Sequence, residues 1–238
     1  MQIKNVENNV LVDHAAKHAI IVGATGATGK DLLELLLKDN SFYKVDVFVR
    51  RSIDIKNEKL TVHVIDFNKS EQWKHLVKGD VFFSCLGTTL KAAGSKAAQW
   101  KIDYDYQYQF AKAARENQVI NYVLVSSQGA SAKSRVFYTK MKGQLEDAIK
   151  NLQYPHLSIF NPPILIRKNS DRAGEKIGVL LIKLFNKIGL LLSLKPLSTR
   201  MLAQAMITAA KKNTSKIAIF KNKEIWQLVG EIGKEQSV

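Results

Sequence analysis

Short apolar runs alternate along this chain with longer stretches whose apolar residues are spaced for a helix. His18–Val22 (HAIIV) is the first run and ends in glycines. Lys30–Lys38 follows, dense in Leu and other helix formers, so a buried strand, a glycine turn and a helix are expected in that order. Further strands are predicted at Val45–Val49, Leu60–Ile65 and Asp80–Cys85, the last running into Leu86-Gly87-Thr88. A helix is expected from about Ala97 to Asn117, a fifth strand over Tyr122–Val125 and a helix over Tyr138–Leu152. A sixth strand, Leu157–Phe160, is stopped by Pro162-Pro163. Strands that are almost wholly apolar belong in a sheet covered on both faces. Helices between them make the fold class α/β, a doubly wound parallel sheet with helices on both faces.

Beyond Pro163 the pattern changes. Helices are predicted over Glu175–Leu192 and Thr199–Lys211, a short strand over Ile217–Phe220 and a last helix over Glu224–Val229. The expected organisation is an N-terminal extension (1–17), an α/β core (18–160) and a small C-terminal lobe (161–238) packed on the core.

The turn after the first strand reads Gly23-Ala24-Thr25-Gly26-Ala27-Thr28-Gly29. Three glycines at this spacing, after a strand and before a helix, let a backbone approach a pyrophosphate, and the helix N-terminus offers free N–H groups to the anion. The sheet is thus Rossmann-like, with Gly23, Thr25, Gly26, Ala27, Thr28 and Gly29 as cofactor-binding candidates. The second strand ends in Arg50-Arg51 with no acid. Sites for NAD place a carboxylate there, whereas Arg pairs with the 2′-phosphate of NADP, so NADP is favoured over NAD. Alternatively the two arginines simply end a strand at the surface. Asp66, after the third strand, would bond the adenine amino group or cap a helix.

Tyr138 and Lys142 lie four apart in a predicted helix and share a face. A free phenol has a pKa of about 10, and a neighbouring ammonium favours the phenolate, as a proton shuttle requires. Ser126-Ser127 at the end of the fifth strand could supply a hydroxyl to polarise a carbonyl oxygen.

These motifs together resemble the atypical short-chain dehydrogenases/reductases, and within them the branch of Tat-interacting protein 30. The resemblance rests on the glycine turn, Arg50-Arg51, Cys85-Leu86-Gly87-Thr88-Thr89, Leu124-Val125-Ser126-Ser127, Tyr138-x-x-x-Lys142-Gly143 and Phe160-x-Pro162, and it runs from about His18 to Gly230. It implies a bound NADP lined by Leu86, Gly87 and Thr88 at the fourth strand. It implies Tyr138 as proton donor, Lys142 as its partner and holder of the nicotinamide ribose, and Ser127 as carbonyl polariser. The expected function is an NADP(H)-dependent oxidoreductase acting on a small carbonyl or alcohol. The alternative is an NADP(H)-binding regulator with little catalysis. Two departures from the family stand out. Asp103 occupies the position nearest to an Asn that many members carry before the fifth strand. Pro162-Pro163 replaces the usual Pro-Gly, leaving Ile164 as the expected nicotinamide contact from that loop.

Composition narrows the classes further. The chain has 238 residues, 46% hydrophobic and 24% charged, as for a globular protein rather than a disordered one. One cysteine, Cys85, excludes an internal disulfide framework, and the five histidines show no metal-ligand spacing, so no metal is expected. The net charge is +15, and Asn151–Lys223 holds 13 Lys or Arg against Asp171 and Glu175. That field could serve an anionic surface. No nucleic-acid motif accompanies it, so nucleic acid is not an expected partner. Lys176, Lys183 and Lys187 stripe the otherwise apolar stretch 176–192, which could lie on a membrane surface, cover the substrate cleft or pack on a second subunit. Packing is favoured over membrane contact, in a monomer or homodimer. No apolar signal core or membrane span is visible, so the expected location is the cytoplasm.

Overall fold

The computed structural model describes residues 16–163, 165–166, 197–212 and 215–235. The extension expected over 1–17 falls almost wholly outside them. So do the helix expected over 175–192 with its lysine stripe, and Ile164.

Seven parallel strands form one sheet. In chain order they are β1 (Lys17–Val22), β2 (Phe42–Val49), β3 (Leu60–Val64), β4 (Val81–Ser84), β5 (Asn121–Val125), β6 (His156–Phe160) and β9 (Ile217–Phe220). A separate pair joins β7 (Leu165–Ile166) to β8 (Leu197–Ser198). The spatial order is β3-β2-β1-β4-β5-β6-β9. The chain winds outwards from β1 in one direction and from β4 in the other. The carboxyl ends of β1 and β4 therefore border the crevice where the winding reverses, which is where open α/β sheets bind ligands.

Helices α1 (Ala27–Lys38), α7 (Thr199–Lys212) and α8 (Asn222–Glu235) cover one face. Leu32, Leu36, Met206 and Ile225 bury there against Ile21, Val47 and Phe83. Helices α5 (Tyr106–Glu116) and α6 (Phe137–Lys150) cover the other, where Phe110, Ala114, Leu145 and Ile149 meet Ile20, Phe82 and Leu124. Trp73, in the short helix α2 (Ser70–Trp73), stacks on Phe110 with ring centroids 4.1 Å apart and anchors this layer. The C-terminal part contributes to the sheet itself, since β9 pairs with β6 from Leu157↔Ile217 to Phe160↔Phe220.

The helix expected over Ala97–Asn117 is three pieces. After the short turn α3 (Leu90–Ala93), α4 spans Lys96–Trp100, residues Lys101–Asp105 wind as one π turn, and α5 follows. The wider turn rotates the chain enough to put Asp103 wholly inside the molecule. Side chains support it, with Gln107 Nε2 donating to the Asp103 carbonyl at 2.8 Å and Ser84 Oγ donating to Gln107 Oε1 at 2.8 Å. Helical π turns are uncommon and collect at functional sites.

Candidate nucleotide cleft and active site

The glycine turn is built by close contacts. Gly23 has φ +84°, and a Cβ there would lie 2.5 Å from the Cys85 carbonyl carbon. Only glycine meets both conditions. A Cβ on Gly29 would lie 2.1 Å from the Gly23 carbonyl oxygen, so the first turn of α1 rests directly on the loop. Gly26 donates its N–H to that same oxygen at 2.9 Å and begins α1 as its N-cap. No side chain caps this helix and no acid sits in its first turn. The positive end of α1 is therefore left to an outside anion.

A cleft of about 760 Å³ opens over this end. Gly26, Ala27 and Thr28 form one wall, Leu86, Gly87 and Thr88 after β4 a second, and Tyr138 and Lys142 from α6 a third. Eight residues singled out in the sequence thus form these three walls. Gly23, Thr25 and Gly29 shape the turn without lining the cleft. Arg50 and Arg51 are exposed at the end of β2, outside the cleft walls, and among the described residues neither forms an ion pair. Asp66 is also exposed. Its Oδ1 accepts the backbone N–H and the Nδ2 of Asn68, both at 2.9 Å, which hold its carboxyl below the usual range. It braces the turn into α2 from outside, and Lys69 occupies the N-cap position.

Of the two serines, Ser126 lines the cleft and Ser127 does not. The Ser127 hydroxyl donates to the Gln128 carbonyl at 3.1 Å. Ser126 gives its proton to Glu146 Oε1 at 2.5 Å, in a buried pair.

The third wall is set by packing. A Cβ on Gly143 would lie 2.1 Å from the Ser131 carbonyl carbon, so α6 presses against the loop after β5 and turns Lys142 inwards. Lys142 is 2% exposed, and its Nζ lies 3.3 Å from Asp103 Oδ1. Both Asp103 oxygens also accept the Thr88 N–H at 3.2 Å. The same ammonium sits 5.9 Å from the centre of the Tyr138 ring, and Tyr138 is 36% exposed. The π turn, the loop after β4 and α6 are thus tied together at one buried carboxylate.

Sequence reasoning missed several cleft residues. Gln99 is 3% exposed and donates to the Thr88 carbonyl at 3.3 Å, yet reads as an ordinary polar helix residue. Lys96 and Phe137 line the cleft without belonging to any motif. Cys85 lines it too, and burial pushes its thiol up to about 12.

A parallel sheet that reverses its winding over a glycine turn and a bare helix N-terminus defines a dinucleotide-binding α/β protein. The family model described as NAD(P)H-binding matches residues 23–157. The chain belongs to this NAD(P)H-binding family. Its relatives include the mitochondrial protein FMP52 of Eremothecium gossypii, 34% identical over 219 residues, 89% of this chain and 97% of that one. FMP52-1 of Scheffersomyces stipitis, also mitochondrial, is 33% identical over 83% of this chain and 90% of its own. Rat HTATIP2 is 35% identical over 67% of each chain, which is the branch that the motifs pointed to. Among solved structures, a UDP-N-acetylglucosamine 4-epimerase from Methanobrevibacter ruminantium superposes with TM-score 0.65 at 14% identity, covering 94% of this chain and 83% of that one. The oxidoreductase ylbE from Lactococcus lactis gives TM-score 0.65 at 15% identity, covering 91% and 97%. At such identities these two show the shared fold.

The relatives correct one expectation. FMP52 proteins are named mitochondrial, which overturns a purely cytoplasmic assignment. The chain shows no secretory signal core and no stretch of membrane-span length. A mitochondrial address needs neither, being amphipathic and basic rather than apolar.

Proposed function

We propose that the protein is an NADP(H)-dependent oxidoreductase that interconverts a small carbonyl compound and its alcohol. The observation that carries this is the convergence of Tyr138 and Lys142 on the cleft that opens at the N-terminus of α1. The glycine turn suits a dinucleotide, because the backbone approach that its glycines allow is the approach a pyrophosphate needs. Gly26, Ala27 and Thr28 would hold the phosphates, with Leu86, Gly87 and Thr88 along the opposite wall. Arg50 and Arg51, free of ion pairs among the described residues and with no acid beside them, suit a 2′-phosphate better than ribose hydroxyls. When bound, the nicotinamide supplies or accepts the hydride. Tyr138 gives or takes the proton at its phenolic oxygen. Lys142 holds the nicotinamide ribose beside the phenol, and Asp103 fixes the position of that ammonium. For carbonyl polarisation the cleft-lining Ser126 has better access than Ser127, and its hydroxyl would have to turn from Glu146 towards the substrate.

One observation favours a second reading, an NADP(H)-binding regulator with little turnover. Two of the three polar groups that chemistry would use are already engaged, Lys142 by Asp103 and Ser126 by Glu146. The two readings separate in one experiment. NADPH binding is measured by calorimetry, and NADPH oxidation is followed against a panel of aldehydes and ketones with wild type and Tyr138→Phe. An oxidoreductase turns over at least one carbonyl, and Tyr138→Phe loses about 100-fold or more of that rate while binding NADPH normally. Tight NADPH binding without turnover across the panel establishes the regulator. Equal rates for wild type and variant remove Tyr138 from the mechanism.

A further inference from the structure

A second cavity, of about 850 Å³, opens at the carboxyl ends of β6 and β9 beside the start of α8. Among the described residues it shares no lining residue with the nucleotide cleft. Its volume is that of a small-molecule site. Its inner end is polar and buried, formed by Glu146 and Asn161 at 6% and 8% exposure. Glu146 Oε1 accepts from Ser126 Oγ at 2.5 Å and from Asn161 Nδ2 at 2.7 Å. Both donors are neutral, and among the described residues no cation pairs with this carboxylate. Asn161 Nδ2 uses its other proton on the Ser127 carbonyl at 3.0 Å. Both its partners are acceptors, so the amide orientation is set and Oδ1 is the atom left over. That oxygen is buried and, among the described residues, accepts no hydrogen bond. Among the described residues the cavity therefore ends in a carboxylate without a cation beside an amide oxygen without a donor, an arrangement that is costly when nothing is bound. Trp226 and Ile219 supply apolar wall, and Lys221 and Lys223 stand at the exposed mouth.

We infer that this cavity binds a small molecule with a protonated amine head on an apolar body, the head against Glu146 and Asn161 and the body against Trp226 and Ile219. An ammonium carries three donors and no acceptor, which matches an inner end that offers only acceptors. A carboxylate head would be repelled by Glu146, and a hydroxyl brings one donor and no charge. The mouth sets Lys221 and Lys223 against one acid, Glu224, and this positive balance favours a neutral or anionic outer end. The inference does not depend on the catalytic reading, since it uses a different cavity.

Three probes share a ring and a two-carbon spacer and differ in the head: 2-phenylethylammonium, 2-phenylethanol and 3-phenylpropionate. They are titrated into the full-length protein at neutral pH, followed by calorimetry and by Trp fluorescence. The ammonium binds about tenfold or more tightly than the alcohol, and the carboxylate does not saturate by about 20 mM. Glu146→Gln brings the ammonium level with the alcohol. Ile219→Trp fills an exposed part of the wall without touching Glu146 or Asn161. It blocks binding of the ammonium while NADPH affinity is retained, so the test stands even if Glu146→Gln fails to fold. Equal affinity for all three heads, no saturation by the ammonium, or ammonium binding that survives Ile219→Trp overturns the inference.

Discussion

Removing either partner of the Asp103–Lys142 pair strands a charge inside the protein. The two groups are 3.3 Å apart, with side chains 0% and 3% exposed. At an effective dielectric constant of about 20, two unit charges at that separation attract by about 5 kcal/mol. Much of this offsets the cost of taking both ions out of water, so the intact pair contributes little net stability. Breaking one side alone is a different matter and costs about 3–5 kcal/mol. Asp103→Asn keeps the shape but leaves the ammonium unpaired and supplies a weaker acceptor to the Thr88 N–H. Lys142→Met leaves the carboxylate unpaired. Each single variant is therefore expected to lose about 3 kcal/mol or more. The double variant buries no charge at either position and is expected to be more stable than the sum of the singles predicts, by about 2 kcal/mol or more. Urea unfolding followed by circular dichroism, with equal m-values across the four proteins, gives the coupling. Additivity within about 0.5 kcal/mol would show that the two groups do not interact energetically, and Asp103 would lose its assigned role of holding Lys142.

Further outcomes follow from the same geometry. Gly23→Ala combines a positive φ with a backbone clash that no side-chain movement relieves, so it should cost about 2–5 kcal/mol and lower Tm by roughly 5–15 °C; a loss under about 1 kcal/mol would mean that the turn relaxes easily. The half-buried Cys85 thiol, pushed up to about 12 by desolvation, holds almost no thiolate at pH 8, and its reaction with a disulfide reagent should be about 100-fold slower in native protein than in urea. For Asp46, burial pushes the carboxyl up, but the close approach of His18 at 3.2 Å, the hydrogen bond with His63 and the charge of Lys44 outweigh it and hold the group at about 2. Because its folded value lies below its unfolded one, this group adds stability above about pH 4 that is lost as pH falls towards 2, about 2 kcal/mol in all. Asp46→Asn should flatten the stability curve between those limits, and an unchanged slope would exclude the group as the source.

Local signals were enough for much of the molecule. Apolar runs of strand length, with helix-spaced stretches between them, determine a parallel sheet because both faces of each strand must be buried, and all six core strands lie where those runs are. The glycine turn was equally legible. Gly23 needs a backbone conformation that other residues avoid, and such requirements act on single positions. Tyr138 and Lys142 were visible as a pair because a helix brings residues four apart together. The tertiary structure decided what depends on distant partners. Asp103 reads as one acid in a helix, and only the π turn, the Thr88 N–H and the Lys142 ammonium, contributed by three separate segments, make it the centre of the site. Ser126 and Ser127 are indistinguishable by spacing, and only the folded chain shows which of them meets the cleft. Strand β9 looked like part of a C-terminal lobe until its hydrogen bonds with β6 placed it in the main sheet. The second cavity left no trace in the sequence, because Glu146 and Asn161, 15 residues apart, meet only through the packing of α6 against the end of β6.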